Sequence, residues 1–211
     1  GMTLVFLEVG RDVHFVGGDL KEAINEGVAQ GYVEGYLRKS VVAEPLFNRK
    51  NTQNNTPAII YIDIVPGDKV EINVELKGFG SENKSDVAML VPADGVEGVK
   101  NAVLEIVKHA GPNPCPPIVL GIGIGGTMDQ AAVMSKKALL RDISTPHKDP
   151  EYAKLEEEIL EMVNKTGIGP QLGGTTTCIG VNIEWGATHI AGLPVAVTIM
   201  CHAARHKHVV L

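Results

Sequence analysis

The chain predicts an α+β fold, a mixed β-sheet scaffold with flanking helices in a single domain over residues 1–211. Two apolar spacings and one absence carry this expectation. Short β-branched runs such as Thr3 to Val9 read as strands, whereas Val96, Val99, Val103, Ile106 and Val107 recur at helical spacing. No internal repeat or flexible linker separates them. Aromatic residues make up only 4% of the sequence, so the core must rest on Val, Ile, Leu and Ala.

Thr3 to Val9 is the first strand, and it begins with no lead-in, so native sequence is expected upstream of Gly1. Asp19 can cap a helix running to about Leu37, with Leu20, Ala23, Ile24 and Val28 on one face. Gly27, Gly31 and Gly35 recur along it at a cost of roughly 1 kcal/mol each against Ala, which suggests a groove for close packing. Its end, Leu37-Arg38-Lys39-Ser40, can project a cation into a cleft. Asn48 to Asn55 is polar loop, and Ala58 to Val65 and Lys69 to Leu76 are strands around a Pro66-Gly67-Asp68 turn. Lys77-Gly-Phe-Gly-Ser-Glu-Asn83 follows as a glycine-rich loop. The helix through Val107 closes at Gly111-Pro112. Met128, Ala131, Ala132, Ser135 and Ala138 define a further helix. Tyr152, Leu155, Ile159, Met162 and Val163 define another, whose Glu156, Glu157, Glu158 and Glu161 mostly face solvent. A loop rich in glycine and hydroxyls, Thr166 to Thr177, leads into strands at Cys178 to Glu184 and Pro194 to Met200.

Net charge is −6 with no basic block, which argues against a nucleic-acid partner. No apolar run approaches the roughly 20 residues of a membrane span, and no signal-peptide pattern opens the chain. Three widely separated cysteines do not make a disulfide framework. A reduced, cytoplasmic setting is expected.

Two segments stand out chemically. In Asn113-Pro-Cys-Pro-Pro117 a lone thiol sits between prolines and precedes the glycine-rich run Gly121 to Gly126. Backbone rigidity around one cysteine suits a metal or cluster ligand better than a packing residue. Gly121, Gly123 and Gly126 formally match a dinucleotide fingerprint, but no second strand ending in an acid follows at the required distance. The other segment is Cys201-His-Ala-Ala-Arg-His206, with His208 beyond it and His189 upstream. Zinc is an alternative there, since two histidines four apart can share a helix face, although compact paired cysteines are absent. Cys178 lies in an apolar strand pattern and reads as a buried packing residue.

Taken with Lys77 to Asn83, Asn51 to Pro57, Lys136-Lys-Ala-Leu-Leu-Arg141, Gly173-Gly-Thr-Thr176 and Thr188 to Val195, these segments resemble iron–sulfur (class I) fumarate hydratase. The resemblance is to its N-terminal domain or alpha subunit and covers essentially the whole chain; L-tartrate dehydratase alpha subunits are similar. It implies a hydro-lyase interconverting (S)-malate and fumarate, with tartrate as the alternative substrate. It implies a 4Fe–4S cluster bound by three cysteines with one iron open to substrate, and Cys115 and Cys201 match two of those ligands. His189 matches a histidine that reaches substrate. Arg38 falls where a carboxylate-binding arginine is expected, and Gly78 or Gly80 where backbone lies against substrate. A small dicarboxylate, a beta subunit carrying further site residues, and assembly through alpha subunits are the partners implied.

Departures from the family pattern temper the expectation. The family's first cluster cysteine lies in a Cys-Gln-Asp-Thr-Gly stretch, and this chain starts about where that stretch would end. Cys178 matches no ligand position, and the loop Gly169 to Gly174 is one residue short. The chain alone is therefore expected to hold no complete cluster and to be inactive. A non-catalytic or zinc-binding remnant is the competing expectation.

Overall fold

The computed structural model describes residues 1–171 and 173–211. Leu172, in the shortened loop, lies outside them. The α+β class is as the sequence predicts, and the strands form two four-stranded mixed sheets in two compact units. Among the described residues no helix is long and apolar enough to cross a membrane.

The first unit comprises Gly1–Phe79 and Arg205–Leu211. Its strands are β1 (Met2–Gly10), β2 (Ile59–Val65), β3 (Val70–Lys77) and β8 (His206–Val210), in the order β2-β1-β3-β8. β1 is almost wholly buried and lies parallel to β2 and antiparallel to β3. The turn at Pro66 to Asp68 thus carries the chain across β1 rather than closing a hairpin. α1 (Leu20–Glu34) starts on Asp19, whose carboxylate accepts from the Glu22 amide. Ile24 and Val28 pack on Val5, Leu7 and Val9. The glycines of α1 do not serve close packing within this chain. A side chain at Gly27 or Gly31 would meet open space, and both line an apolar groove of about 460 Å³ against β1 and β3.

The second unit is Gly80–Ala204. Its strands are β4 (Asp86–Leu90), β5 (Ile118–Gly125), β6 (Cys178–Gly186) and β7 (Leu193–Met200), in the order β4-β7-β5-β6. The helices are α3 (Gly95–Ala110), α4 (Met128–Ala138) and α5 (Pro150–Asn164); α2 (Phe79–Glu82) is one turn inside the expected glycine-rich loop. Strand β5 is buried along its whole length. Ile118, Leu120, Ile122 and Ile124 enter one core with Val103 and Val107 of α3 and Ile159 and Val163 of α5. On the opposite face, a Cβ at Gly121 or Gly123 would overlap the Ser135 and Ala131 carbonyl oxygens of α4. The glycine run is therefore the seat on which α4 lies, and its fingerprint spacing has a packing cause.

Motif residues outside the two cysteine segments act as ties in this unit. Lys136 pairs with Glu82 at 2.6 Å, joining α4 to α2. Arg141 pairs with Glu156, which is buried although the sequence places it with its neighbours at the surface. The Glu156 carboxylate also accepts from the Ile183 and His147 amides at 2.7 and 3.1 Å. A charge buried this deeply is tolerated because every side of it is paired.

Candidate functional site

The register of β5 and β7 sets the geometry. These strands are antiparallel, with Val119 opposite Met200. The residues just before β5 and just after β7 therefore meet at one end of the sheet. They are Cys115 and Cys201. The His202 ring Nδ1 donates to the Cys115 carbonyl at 3.1 Å and pins the two loops together. Cys115 is exposed and Cys201 half-buried, and both are free thiols.

Cys115 adopts a left-handed backbone, φ 61°. Glycine would take that conformation at lower cost. The amide bonds to the Pro112 carbonyl at 3.3 Å, and the flanking prolines hold the remainder. A side chain kept at such a position, with its sulfur facing out, serves something other than packing. Cys178 is the opposite case. It is 2% exposed, its thiol donates to the Gly180 carbonyl at 3.1 Å, and burial pushes the thiol up to about 12. It stays protonated at neutral pH, and its burial is what its strand context predicted.

His189 lies on the β6–β7 connection. Gly186 ends β6 opposite Gly125, and Thr188 donates to the Gly126 carbonyl at 2.9 Å, so this loop sits at the other end of β5. Eight strand residues intervene, a separation of about 23 Å at the usual rise. The structure does not bring His189 to the two cysteines of the same chain. Its ring Nδ1 accepts from the Ala191 amide at 3.2 Å, so the neutral ring carries its proton on Nε2 and presents a donor to solvent.

Arg38 is exposed on the segment after α1, in the first unit. The Arg38 and Arg205 guanidiniums both act electrostatically on Gly1. Both cations thus raise the positive potential at the start of β1, a field suited to an anion. Gly78 and Gly80 have ordinary backbone angles, and a Cβ at either would meet nothing within 4 Å. Nothing in the chain's own packing demands glycine there. The tail histidines do not share a helix face: His206 and His208 are in strand β8, where His208 faces Glu71 at 3.4 Å. Among the described residues no three His, Cys, Asp or Glu side chains gather to hold a metal ion.

The comparison with known proteins decides the family. The family model for fumarate hydratase (Fumerase) matches residues 1–210.

The chain belongs to the fumarate hydratase family.

It is 46% identical over 211 residues to a Methanocaldococcus jannaschii protein named "Putative L(+)-tartrate dehydratase subunit alpha", covering 97% of this chain and 74% of that one. It is 37% identical to the L(+)-tartrate dehydratase subunit alpha of Escherichia coli strain UTI89, and 36% to that of strain K12, covering 68% of each. The family is one of hydro-lyases, so the two thiols belong to a chain of hydro-lyase type. Two free cysteines on adjoining loops, one exposed and one half-buried, fit a cluster as part of its ligand set, because thiolates are what hold iron–sulfur clusters. Sequence reading found both thiols and missed the His202 tie, which joins residues 87 positions apart.

Proposed function

We propose that this chain is the alpha subunit of an iron–sulfur hydro-lyase interconverting (S)-malate with fumarate and water. The observation that carries the reading is the His202-pinned pair of loops bearing Cys115 and Cys201, in a chain of this family. These two thiolates would hold the cluster, with the family's third cysteine supplied from outside the described residues. When bound, the cluster supplies a Lewis acid for the carbon–oxygen bond broken in dehydration.

The chain's own residues do the rest. Arg38 binds a substrate carboxylate through its planar pair of donors. Gly78 and Gly80 keep side chains out of the way of the substrate. His189, presenting Nε2–H, gives a hydrogen bond to a substrate oxygen in this reading and does not act as the base that takes a proton from carbon. Because it stands at the far end of β5, its contact with substrate requires a second copy of the chain, which makes assembly through alpha subunits part of the reading. A beta subunit supplies the remaining contacts, the isolated chain is inactive, and its free cysteines suit a cytoplasmic setting.

A second reading, L(+)-tartrate as substrate, is favoured by the names of the relatives. The test is to produce the full-length chain with its beta subunit, reconstitute the complex anaerobically with iron and sulfide, and assay both substrates. Fumarate formed from malate faster than oxaloacetate from tartrate supports the first reading, and the reverse order supports the second. No turnover of any hydroxy dicarboxylate overturns both.

A further inference from the structure

We propose that Asn55 is the positioning residue that presents Arg38 to substrate. The inference rests on the carboxylate-binding role of Arg38 given above. Asn55 is fully buried, at 0% exposure, and holds a left-handed backbone with φ 62°. Asparagine tolerates that region better than any other residue with a side chain of this reach, except aspartate. Its side-chain oxygen accepts from the Ser40 and Val41 amides at 2.6 and 3.1 Å, two and three residues after Arg38. Its side-chain nitrogen donates to the Gly1 carbonyl at 2.9 Å.

The same carbonyl receives the Tyr32 hydroxyl at 3.0 Å, and the Leu37 amide bonds to the Tyr32 carbonyl at 3.0 Å. Both flanks of Arg38 are thus fastened to one oxygen at the start of β1. Asn51 and Thr52 add a second line, donating to the Lys39 and Val41 carbonyls at 3.1 and 3.0 Å. The Arg38 side chain is exposed, whereas the backbone that aims it is fixed from both sides. Aspartate would keep the acceptor and lose the donor. Glycine would keep the backbone conformation and lose all three bonds.

The test uses the complete enzyme with Asn55→Gly and Asn55→Asp, each in the wild-type and Arg38→Ala backgrounds. KM, kcat, melting temperature and the inhibition constant of succinate, a dicarboxylate that cannot react, are measured. Asn55→Gly is expected to raise KM and the succinate constant about tenfold, the worth of one or two net hydrogen bonds, with kcat changed less. Asn55→Asp is expected to give a smaller rise, and it remains informative where the glycine variant fails to fold. In the Arg38→Ala background neither change should raise KM further. An equal rise in both backgrounds, or a lowered melting temperature with KM and the succinate constant untouched, would overturn the proposal. Arg38→Ala alone leaving succinate inhibition unchanged would instead overturn the role of Arg38 itself.

Discussion

Cys115 and Cys178 show how one residue type serves opposite ends through its surroundings. The first keeps an exposed sulfur on a left-handed backbone that the fold does not need it to occupy. The second is sealed in the core shared with α3 and α5, and burial pushes its thiol up to about 12. That raised value has a consequence for stability. Below about pH 9 the thiol is protonated in both folded and unfolded chains, and the full stability is present. Between about pH 9 and 12 the unfolded chain loses the proton while the folded one keeps it, so stability falls by about 1.4 kcal/mol per pH unit. Cys178→Ala should lack this slope, and denaturant unfolding of both proteins at pH 8 and pH 10 measures it. Equal slopes would mean that the thiol is not shielded as described. The prolines around Cys115 singled that residue out, and the burial of Cys178 was legible in the sequence from its apolar strand. The ties made by Asn55 and His202 were not. Their partners lie 14 to 87 positions away, and no local pattern marks such a bond.

At the scale of elements, β5 carries the clearest division of labour. Its even-numbered isoleucines and leucine fill the core shared with α3 and α5, and its odd-numbered glycines admit α4. Gly123→Ala should therefore destabilise the protein by about 3 kcal/mol through overpacking. Gly27→Ala on α1, where the new methyl meets open space, should stabilise it by about 1 kcal/mol through helix propensity. Thermal or chemical melts of the two variants test the pair, and a tolerated Gly123→Ala would remove the packing explanation for the glycine run. The periodic elements were readable because each buries a face. Strands β4 and β8 were not. β8, His206-Lys-His-Val-Val210, is an exposed edge strand with no apolar alternation to betray it, and edges are kept polar because an apolar one invites aggregation. The tail histidines, four apart in part, looked suited to one helix face for the same reason: the strand is set by pairing with β3, which the local sequence does not encode.

For the whole molecule, the separation of His189 from the cysteine loops is the feature with the widest consequence. Two inactive variants, Cys115→Ser and His189→Ala, should restore part of the activity when produced together, because a mixed assembly contains one site with both groups intact. About a quarter to a half of wild-type activity is the statistical expectation for a site built by two copies. Activity no greater than either variant alone would place both residues in one copy. More basic is the proposed role of Cys115 and Cys201 as ligands of an iron–sulfur cluster in a fumarate hydratase-family chain. Iron and acid-labile sulfide should be measured on the anaerobically reconstituted complete enzyme, in the wild type and in Cys115→Ser, Cys201→Ser and Cys178→Ser. Equal iron and sulfide are expected in the wild type and Cys178→Ser, with loss of most of both in the other two. Wild-type cluster content in Cys115→Ser or Cys201→Ser, or bound zinc without sulfide, would contradict it.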